Sequence, residues 1–581
     1  MDDVGRRHSL ARVLLGVALL LGSAAAQARD IDLRIIAFND FHGHLEAGEN
    51  TLLVPHPDDA QRRVALRTGG AAYLATLVKR LRAERPNTIV VAAGDLTGAS
   101  PLASALFRDE PTIEVMNAIG LDLTSLGNHE FDHGVGELRR HLDGGCAEEP
   151  RGATASCARP TRSFAGARYA AIAANVVDTT DRPLVAPGVV RTIGGVRVGF
   201  VGAVTRATPG IVMPAGIRGW RFLDEAAAMN RTVAAWRAEG VRAFVAVMHE
   251  GGDTDADFNG CGQLRGAVTR IAASLDPDVA IIVSGHTHRA YNCRVDGRVV
   301  TQAASFGRLV TVIDLVLDSQ TGTIRRDSLR AANLPVVNRA ADDAAVAARY
   351  PALEPDPAVA ALVGEYRDRA APLADRPVGR IAAPFNRKPD AGGDHAAGRL
   401  IADAQLWATR AADAGGAQIA FTNPGGVRTD LRSRNPDGSV SFGDVFAMQP
   451  FGNSLVTVEL TGAQIRALLE SQWSRRDPQR ARILQPSTGL TYAWRAGRSH
   501  GDRVIADSLR LNGVRIEPQR RYRVTVNDYL ASGGDGFGIL RDARARRGGP
   551  LDADALADYL RAHAAAQPLA PDRRPRIERI D

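Results

Sequence analysis

Residues 127–132 read Gly127-Asn128-His129-Glu130-Phe131-Asp132, and this stretch decides the fold more than any other part of the chain. It places an amide, an imidazole and two carboxylates in one tight run that begins with glycine, and it follows a short apolar run. Four further short polar clusters also follow apolar runs. They are Asn39-Asp40-Phe41-His42-Gly43-His44, Gly94-Asp95, His249-Glu250 and Gly285-His286-Thr287-His288.

The apolar runs beside these clusters predict buried strands, at 33–38, 88–93, 243–248 and 279–283. Apolar residues at helical spacing predict helices at 71–85 and 222–239. This alternation indicates an α/β fold. If the strands belong to one sheet system, all five clusters meet at the carboxyl ends of the strands, where α/β folds place their sites.

The clusters supply the ligands that borderline and hard divalent cations prefer, namely carboxylate and amide oxygens and imidazole nitrogens. A single Asp-x-His or His-x-His pair is weak evidence, because such pairs are common at caps and on strands. The ordered set of five is specific. Two metal ions about 3.5–4 Å apart, bridged by one carboxylate, generate a hydroxide and neutralise a phosphoryl group together. We therefore expect two divalent metal ions as cofactors, zinc, manganese or similar.

In this order the clusters resemble the calcineurin-like metallophosphoesterases, and residues 127–132 resemble the 5'-nucleotidase branch, which includes bacterial periplasmic UDP-sugar hydrolases. The resemblance implies a four-layer α/β/β/α metallophosphatase domain. The implied ligands of one metal are Asp40, His42, Asp95 and His288, and those of the second are Asp95, Asn128, His249 and His286. His129 and Asp132 are implied to form a catalytic dyad, whose carboxylate orients the imidazole toward the phosphoryl oxygens. His44, Glu130 and Glu250 are expected to have structural roles.

A second α/β region begins near residue 378, with a predicted helix at 396–412 and predicted strands at 455–460 and 522–526. Three glycine-containing stretches stand out in it, Asn423-Pro424-Gly425-Gly426-Val427-Arg428, Pro450-Phe451-Gly452-Asn453 and Asn527-Asp528-Tyr529-Leu530-Ala531-Ser532-Gly533-Gly534-Asp535-Gly536. Aromatic rings there can stack on a planar base, and arginine can hold a phosphate bidentately. From spacing alone the simpler alternative is favoured, in which the aromatics are core residues and the glycines only make turns.

These stretches resemble the C-terminal 5'-nucleotidase domain, so the resemblance covers about residues 31–537. It implies that Phe451 and Tyr529 clamp the nucleobase and that Asp535 meets the ribose. The other implied substrate-binding residues are Arg387, Asn423, Gly426, Arg428 and Asn453. Two features depart from the family: Asp394-His395 stands where Glu-Ser is more usual, and one clamp position is tyrosine instead of phenylalanine.

Residues 1–28 predict a signal peptide, with Arg6 and Arg7 before an apolar stretch at 13–21 and an Ala26-Gln27-Ala28 cleavage site. No later segment is long and apolar enough to cross a bilayer, so we expect no membrane span in the mature chain. The expected location is the periplasm or the outside of the cell.

Four cysteines follow this export signal. In an oxidising compartment their proximity in sequence favours the disulfides Cys146–Cys157 and Cys261–Cys293, although four cysteines allow three pairings. The formal net charge of +7 comes almost entirely from dispersed arginine. No basic run interleaved with aromatics is present, so we expect no nucleic-acid polymer as a partner. The sequence leaves the oligomeric state open.

The 581 residues exceed what one hydrophobic core supports. We expect a metallophosphoesterase domain at 29–345, a linker helix at 346–375 and a second α/β, substrate-binding domain at 376–581. The linker prediction rests on a helical run at 357–371 between Pro355 and Pro372. The resemblance implies that this linker is the hinge on which the two domains rotate.

Taken together, these expectations describe a secreted two-metal 5'-nucleotidase that hydrolyses nucleoside 5'-phosphates through attack of a metal-bridging hydroxide. Three alternatives on the same scaffold are a UDP-sugar hydrolase, a 2',3'-cyclic-nucleotide phosphodiesterase and a sulfur-ester hydrolase. An alternative of another class is a nucleotide-binding protein without catalysis. The complete ligand set and the His129-Asp132 pair argue against it, because a protein that only binds nucleotides does not need them.

Overall fold

The computed structural model describes residues 30–580 apart from residue 49 and the segments 148–155, 158–162, 474–480 and 565–566. The predicted signal peptide at 1–28 lies outside the described residues.

The strands of the first half are β1 Ile31–Phe38, β2 Thr51–His56, β3 Asp59–Arg67, β4 Thr88–Ala93, β5 Leu123–Ser125, β6 Ala170–Ile172, β7 Val176–Asp178, β8 Gly188–Ile193, β9 Val196–Val204, β10 Trp220–Phe222, β11 Ala243–His249, β12 Val279–Ser284, β13 Ala290–Val295, β14 Arg298–Ala303, β15 Leu309–Leu317 and β16 Arg330–Pro335. The helices are α1 Ala71–Ala83, α2 Leu102–Ala105, α3 Glu110–Ile119, α4 Gly134–Asp143, α5 Glu225–Ala238, α6 Ala267–Ser274, α7 Ala344–Arg349 and α8 Pro357–Ala374.

Two six-stranded sheets form the centre of this half, in the orders β16-β15-β1-β4-β5-β6 and β13-β14-β12-β11-β9-β8. Strands β1, β4, β5 and β6 run parallel in the first sheet, and β9, β11, β12 and β14 run parallel in the second. Apolar side chains of both sheets pack against each other in one core. Helices α1, α3 and α8 cover the outer face of the first sheet, and α5 and α6 cover that of the second. The predicted four-layer α/β/β/α architecture is confirmed.

All four predicted helices have different limits in the structure. Those expected at 71–85 and 396–412 end earlier, at Ala83 and Thr409. The helix expected at 222–239 begins only at Glu225, because Asp224 caps it by accepting a hydrogen bond from the Ala227 N–H, while residue 222 belongs to β10. The helix expected at 357–371 continues through Pro372 to Ala374. Proline removes one helical hydrogen bond, but the buried Tyr366 and Ala370 hold this part of the helix against the following domain.

The second half has two smaller sheets and a set of helices around them. Its strands are β17 Pro377–Arg380, β18 Ile419–Thr422, β19 Ser439–Ser441, β20 Ser454–Thr461, β21 Gln485–Pro486, β22 Leu490–Trp494, β23 Arg510–Leu511, β24 Val514–Arg515, β25 Arg521–Asn527, β26 Arg544–Leu551 and β27 Ile577–Arg579. Its helices are α9 Ala396–Thr409, α10 Phe442–Met448, α11 Gly462–Glu470, α12 Asp528–Ala531, α13 Gly538–Arg541 and α14 Asp552–His563. The main sheet has the order β21-β18-β25-β20-β26, and a second has the order β24-β23-β22-β27. A pair, β17 and β19, lies apart from them.

Helix α8 joins the two halves through its side chains. Val359 and Val363, near its start, belong to the core of the first half. Tyr366 packs with Phe107 of the first half at 5.0 Å between ring centroids, in a core that also contains residues of α9, α10 and α14. The helix therefore contacts both halves along its length, and apolar packing fixes how they meet.

Both predicted disulfides are present in the structure, Cys146–Cys157 and Cys261–Cys293. The second joins the loop before α6 to strand β13 and closes the longer segment of chain. Within the described residues, no helix has the length and apolar character needed to cross a bilayer.

The two disulfides are expected to differ in their effect on stability. In the chain-entropy model the Cys261–Cys293 bond, with a sequence separation of 32, contributes about 3–4 kcal/mol, and the Cys146–Cys157 bond, with a separation of 11, contributes about 1 kcal/mol less. We expect the pair of changes Cys261→Ser and Cys293→Ser to lower the melting temperature more than Cys146→Ser with Cys157→Ser. Calorimetry of the two double variants measures this, and the reverse order would contradict it.

Candidate active site

The five polar clusters come together where the two central sheets face each other. Asp40, Asp95 and Asn128 follow β1, β4 and β5 of the first sheet. His249 ends β11 and His286 follows β12 of the second sheet. The clusters were expected to gather at the carboxyl ends of the strands, and the structure brings them together at the strand ends of two facing sheets. The ligand atoms thus surround one central region from both sides.

The first group of potential metal ligands is Asp40, His42 and His288, whose ligand atoms lie within 4.8 Å of one another. The Nε2 atoms of His42 and His288 are 3.1 Å apart. The Nε2 atom of His288 is 3.2 Å from Asp40 Oδ1. The coordinating atoms of all three side chains are therefore close enough to bind one ion.

The second group is Asp95, His249 and His286, whose ligand atoms also lie within 4.8 Å of one another. Asn128 Oδ1 is 3.2 Å from His249 Nε2. Asp95 Oδ2 is 3.0 Å from His249 Nε2 and 3.6 Å from His42 Nε2, so one carboxylate oxygen faces both groups. A carboxylate oxygen in this position could bind an ion held by either group.

Backbone carbonyls orient the imidazoles for coordination. His42 Nδ1 is 2.8 Å from the Gly98 carbonyl oxygen, and His249 Nδ1 is 2.7 Å from that of Ala93. A proton on each Nδ1 leaves the Nε2 lone pair directed into the centre, as metal-binding histidines require. Burial lowers the pKa of His42 well below its ordinary value. For His249, burial lowers the pKa but Asp95 outweighs it and raises it to about 10, so a positive charge is favoured where a cation would lie. The donor set fits divalent cations.

Left-handed backbone conformations, with φ between 47° and 74°, occur at five of the proposed ligands, Asp40, His42, Asp95, His286 and His288. Such conformations cost about 1–3 kcal/mol each at residues other than glycine and persist where the surroundings enforce them. Two hydrogen bonds help to hold these residues in the left-handed conformation. The His286 N–H donates to the Asp40 carboxylate, and the His129 N–H donates to Asp95 Oδ1 at 2.9 Å.

Glu130, expected to be structural, organises the loops that carry the ligands. Its carboxylate accepts hydrogen bonds from the backbone N–H groups of Asp95 and Leu96, at 2.9 and 2.7 Å, and from that of Gly127 at 2.6 Å. One side chain therefore ties the loop after β4 to the loop after β5. A glutamate next to the His129 dyad was visible in the sequence, but its partners were not.

Gly127 is required by this close approach. A Cβ atom at this position would lie 2.2 Å from Asp95 Oδ1. Gly94, with φ of +74°, allows the neighbouring turn, where a Cβ would lie 2.8 Å from His249 Nδ1. These glycines bring the two loops near enough for Asp95 to face both ligand groups.

His129 and Asp132, which were expected to form a dyad, are within hydrogen-bond distance: His129 Nδ1 is 2.7 Å from Asp132 Oδ2. Burial lowers the pKa of His129, but the carboxylates of Asp132 and Asp95 outweigh it and raise that pKa above the ordinary value. The imidazole is therefore favoured as a cation with one N–H held by Asp132. His129 also lies close enough to His42 and Asp95 to be a potential ligand, which makes its role a matter for experiment.

The second half of the chain contributes directly to this centre. The Phe451 ring lies nearly parallel to His129, at 6.1 Å between centroids and 22°. The Arg428 guanidinium carbon is 5.7 Å from the Phe451 ring centroid. Burial, and after it the neighbouring Arg387, hold the pKa of Arg428 below its ordinary value, and the charges of Asp95, Asp132 and Asp40 act in the opposite direction.

Arg387 occupies a supporting position in the structure. Its Nη1 atom donates to the Arg428 backbone carbonyl, and its backbone N–H donates to Asp430 Oδ1 at 2.7 Å. The Arg387 side chain is exposed and therefore accessible to a charged ligand. His395, where the sequence departs from the family, caps α9 by accepting from the Gly398 N–H at 3.0 Å.

Asn423, Tyr529 and Asp535 form one hydrogen-bonded group. Asn423 Nδ2 donates to Asp535 Oδ2 at 2.7 Å. The Tyr529 hydroxyl is 3.1 Å from Asp535 Oδ1 and accepts from the Asp535 N–H at 2.9 Å. Gly426 makes room for Asn423, since a Cβ there would lie 2.8 Å from Asn423 Oδ1. Phe451 and Tyr529 make no ring contact with each other among the side chains that the structure describes.

Asp552 supports the loop of Phe451 and was missed in the sequence. Its Oδ2 atom accepts from Asn453 Nδ2 at 3.1 Å, and its N–H donates to the Asn453 carbonyl at 2.8 Å. Burial raises the pKa of Asp552 to about 7. The amide group of Asn453 thus donates its hydrogen bond to Asp552. No sequence signal marks this pair, because its members lie 99 positions apart in the chain.

The fold and the convergent ligands define a two-domain metallophosphoesterase with a second domain at the metal site. Residues 33–290 match the family model described as calcineurin-like phosphoesterase, and residues 377–542 match the 5'-nucleotidase C-terminal domain. The chain belongs to the 5'-nucleotidase family and is a metal-dependent phosphoesterase.

Three known proteins illustrate this relationship. The chain is 30% identical over 561 residues to Endonuclease YhcR of Bacillus subtilis (strain 168), which covers 95% of this chain and 41% of that protein, so the chain spans less than half of that relative. It is 26% identical over 621 residues to the probable 5'-nucleotidase of Treponema pallidum (strain Nichols), with 95% of each covered. The crystal structure of the 5'-nucleotidase precursor from Thermus thermophilus has a TM-score of 0.73 and 26% identity, covering 95% of this chain and 99% of that one.

The bridging position of Asp95 predicts that both metals depend on it. We expect two divalent ions per chain in the purified protein and fewer than one in Asp95→Ala, because its Oδ2 atom faces both ligand groups. Asp132→Ala is the matched control, since Asp132 bonds the His129 imidazole and belongs to neither ligand group, and it should keep both ions. Elemental analysis measures the metal content. One tightly bound ion in fully active protein would contradict the two-metal proposal.

Proposed function

We propose that the chain is an exported 5'-nucleotidase that hydrolyses nucleoside 5'-phosphates to nucleoside and phosphate with two divalent metal ions. The observation that carries this proposal is the approach of Arg428 and Phe451, from the second half, to His129 at the ligand groups of the first. A site built only for a small phosphate does not need groups from another domain. The predicted signal peptide and the two disulfides support export.

The ligand groups bring phosphate and water together. Two cations held by them would activate the attacking water and neutralise charge on the phosphoryl oxygens. His129, with its Nδ1–H held by Asp132, presents its Nε2–H to a phosphoryl oxygen. Arg428 adds a second positive charge from the substrate domain. The water loses a proton to solvent as its oxygen bonds to phosphorus and the ester P–O bond breaks in line, and the 5'-oxygen takes up a proton and leaves toward the second domain.

The nucleoside is proposed to lie between Phe451 and Tyr529, with the ribose at Asp535. Tyr529 packs on Gly534, where a Cβ would lie 2.4 Å from Tyr529 Cζ, and against the core of the second half. Its side chain stays partly exposed, and we propose that this part contacts the base. Each Asp535 oxygen accepts one hydrogen bond within the protein and retains lone pairs for ribose hydroxyls. Asn423 and Gly426 support this geometry, Arg387 fixes the segment of Arg428, and Asn453 fixes the loop of Phe451.

A substrate panel separates this proposal from its alternatives. We expect AMP to be hydrolysed with the highest kcat/KM among AMP, UDP-glucose, a 2',3'-cyclic nucleotide, an aryl phosphate and a single-stranded oligonucleotide. The oligonucleotide is included because one relative is named an endonuclease. Measured phosphate or nucleotide release with added Mn²⁺ or Zn²⁺, and its loss on chelation, is the test. Preference for another substrate would move the assignment to that activity.

His129 is expected to act in chemistry more than in metal binding. His129→Ala removes a charged donor worth about 3 kcal/mol in the transition state, so kcat should fall by more than a hundredfold. Asp132→Asn, which keeps the shape and removes the charge that supports the imidazole, should give a smaller loss. Metal content should remain that of the parent in both variants. A metal-free His129→Ala protein would show instead that His129 is a ligand.

The clamp is tested by comparing substrates with and without a nucleoside. Tyr529→Ala should lower the apparent affinity for AMP by roughly tenfold, since base–aromatic stacking contributes about 1–3 kcal/mol in nucleic-acid binding sites. An aryl phosphate should lose far less. Phe451→Ala should also weaken AMP more than the aryl phosphate. It should in addition lower the activity toward both substrates, because Phe451 also contacts His129. Proportional losses for both substrates in Tyr529→Ala, with lower thermal stability, would indicate a core residue.

A further inference from the structure

The Tyr529 hydroxyl stands at a contact between the two halves of the protein. It lies 3.2 Å from the carbonyl oxygen of Gly210, which ends the short 3₁₀ helix Thr208–Gly210 after β9. It lies 3.1 Å from Asp535 Oδ1 on its own side. Both neighbours are acceptors, so they compete for the hydroxyl proton.

A phenolic hydroxyl has one proton, so it donates to only one of these acceptors at a time. Burial, and after it Asp535, raise the pKa of Tyr529, so the group stays a donor near neutral pH. Its oxygen accepts from the Asp535 N–H at 2.9 Å in either case. The hydroxyl therefore has two states, one turned to the carboxylate and one turned to the first domain.

Asp535 is itself held in place by groups that do not compete for this proton. Asn423 donates to its other carboxylate oxygen, and Arg482 Nη1 donates to its backbone carbonyl at 2.7 Å. Its backbone is in the left-handed region, with φ of 57°. The carboxylate is thus fixed in position. A second donor to Oδ1 therefore changes which of the two acceptors the tyrosine proton favours.

We propose that the Tyr529 hydroxyl couples ribose recognition to the seating of the substrate domain on the metal domain. A ribose hydroxyl that donates to Asp535 Oδ1 makes this oxygen a weaker acceptor for the tyrosine proton, which then favours the Gly210 carbonyl and adds a hydrogen bond between the domains. Tyr529 is then a positioning and specificity-determining residue, through the hydroxyl that distinguishes it from phenylalanine. The inference rests on the proposed nucleotidase function.

The test compares Tyr529→Phe with the parent and with Tyr522→Phe. Tyr522 is the matched control, because its hydroxyl accepts from the Glu517 N–H within the second half and reaches no other domain. The first measurement is the ratio of kcat/KM for AMP to kcat/KM for 2',3'-dideoxy-AMP. This ratio should fall by about fivefold in Tyr529→Phe, the scale of one net hydrogen bond, and should remain unchanged in Tyr522→Phe.

The second measurement distinguishes coupling between domains from a local effect on Asp535. Fluorescent labels at Leu53→Cys and Val514→Cys report the distance between the halves, since both side chains are 62% exposed and all native cysteines are paired. Adenosine should narrow the distance distribution more than 2',3'-dideoxyadenosine in the parent and in Tyr522→Phe. The two ligands should act alike in Tyr529→Phe.

Three results would overturn the inference. The first is a ratio of kcat/KM for AMP to kcat/KM for 2',3'-dideoxy-AMP that is the same in Tyr529→Phe as in the parent. The second is that adenosine still narrows the distance distribution between the labels more than 2',3'-dideoxyadenosine does in that variant. In either case AMP hydrolysis by the parent leaves the proposed function intact. The third is an intact, metal-loaded parent that does not hydrolyse AMP, which removes both the function and the coupling.

Discussion

The position of Asp95 is the constraint on which the rest of the structure depends. Its Oδ2 atom faces His42 on one side and His249 on the other, while Oδ1 is held by the His129 N–H. This requires a left-handed backbone at an aspartate, which costs about 1–3 kcal/mol. The Glu130 carboxylate helps to stabilise this conformation, because it accepts hydrogen bonds from the Asp95 N–H and from the neighbouring loop. A shared carboxylate thus needs a local network that a single motif does not reveal.

Two facing sheets explain why the ligands converge. Strands within one sheet lie about 4.8 Å apart, so ligands from one sheet alone form a row along its edge. The second sheet supplies His249 and His286 from the opposite side, and the ligand atoms then surround a volume. The core between the sheets is apolar, which leaves the ends of the parallel strands as the place where polar loops meet.

Sequence analysis predicted the parts of this molecule that are local in the chain. Apolar runs identified β1, β4, β11 and β12, because buried parallel strands are continuously apolar. The spacing of the ligands within each cluster was equally visible. The pairs that join distant segments were not, as the roles of Glu130 and Asp552 illustrate, since each depends on backbone groups brought close only by folding. Helix α8 passed through Pro372 for the same reason, as packing against another domain outweighed a local stop signal.

The division between chemistry and recognition is incomplete in this structure. The metal-ligand groups lie wholly in the first half, and the proposed nucleoside site lies in the second. Phe451 nevertheless lies over His129, and Arg428 brings positive charge toward the carboxylates of the first half. In the proposed function, one loop and one arginine serve both the nucleoside side and the phosphate side, so the position of the second domain would set the electrostatics of the reaction as well as the choice of substrate. We therefore expect any group that controls the contact between the domains to affect turnover, even when it touches neither metal nor phosphate.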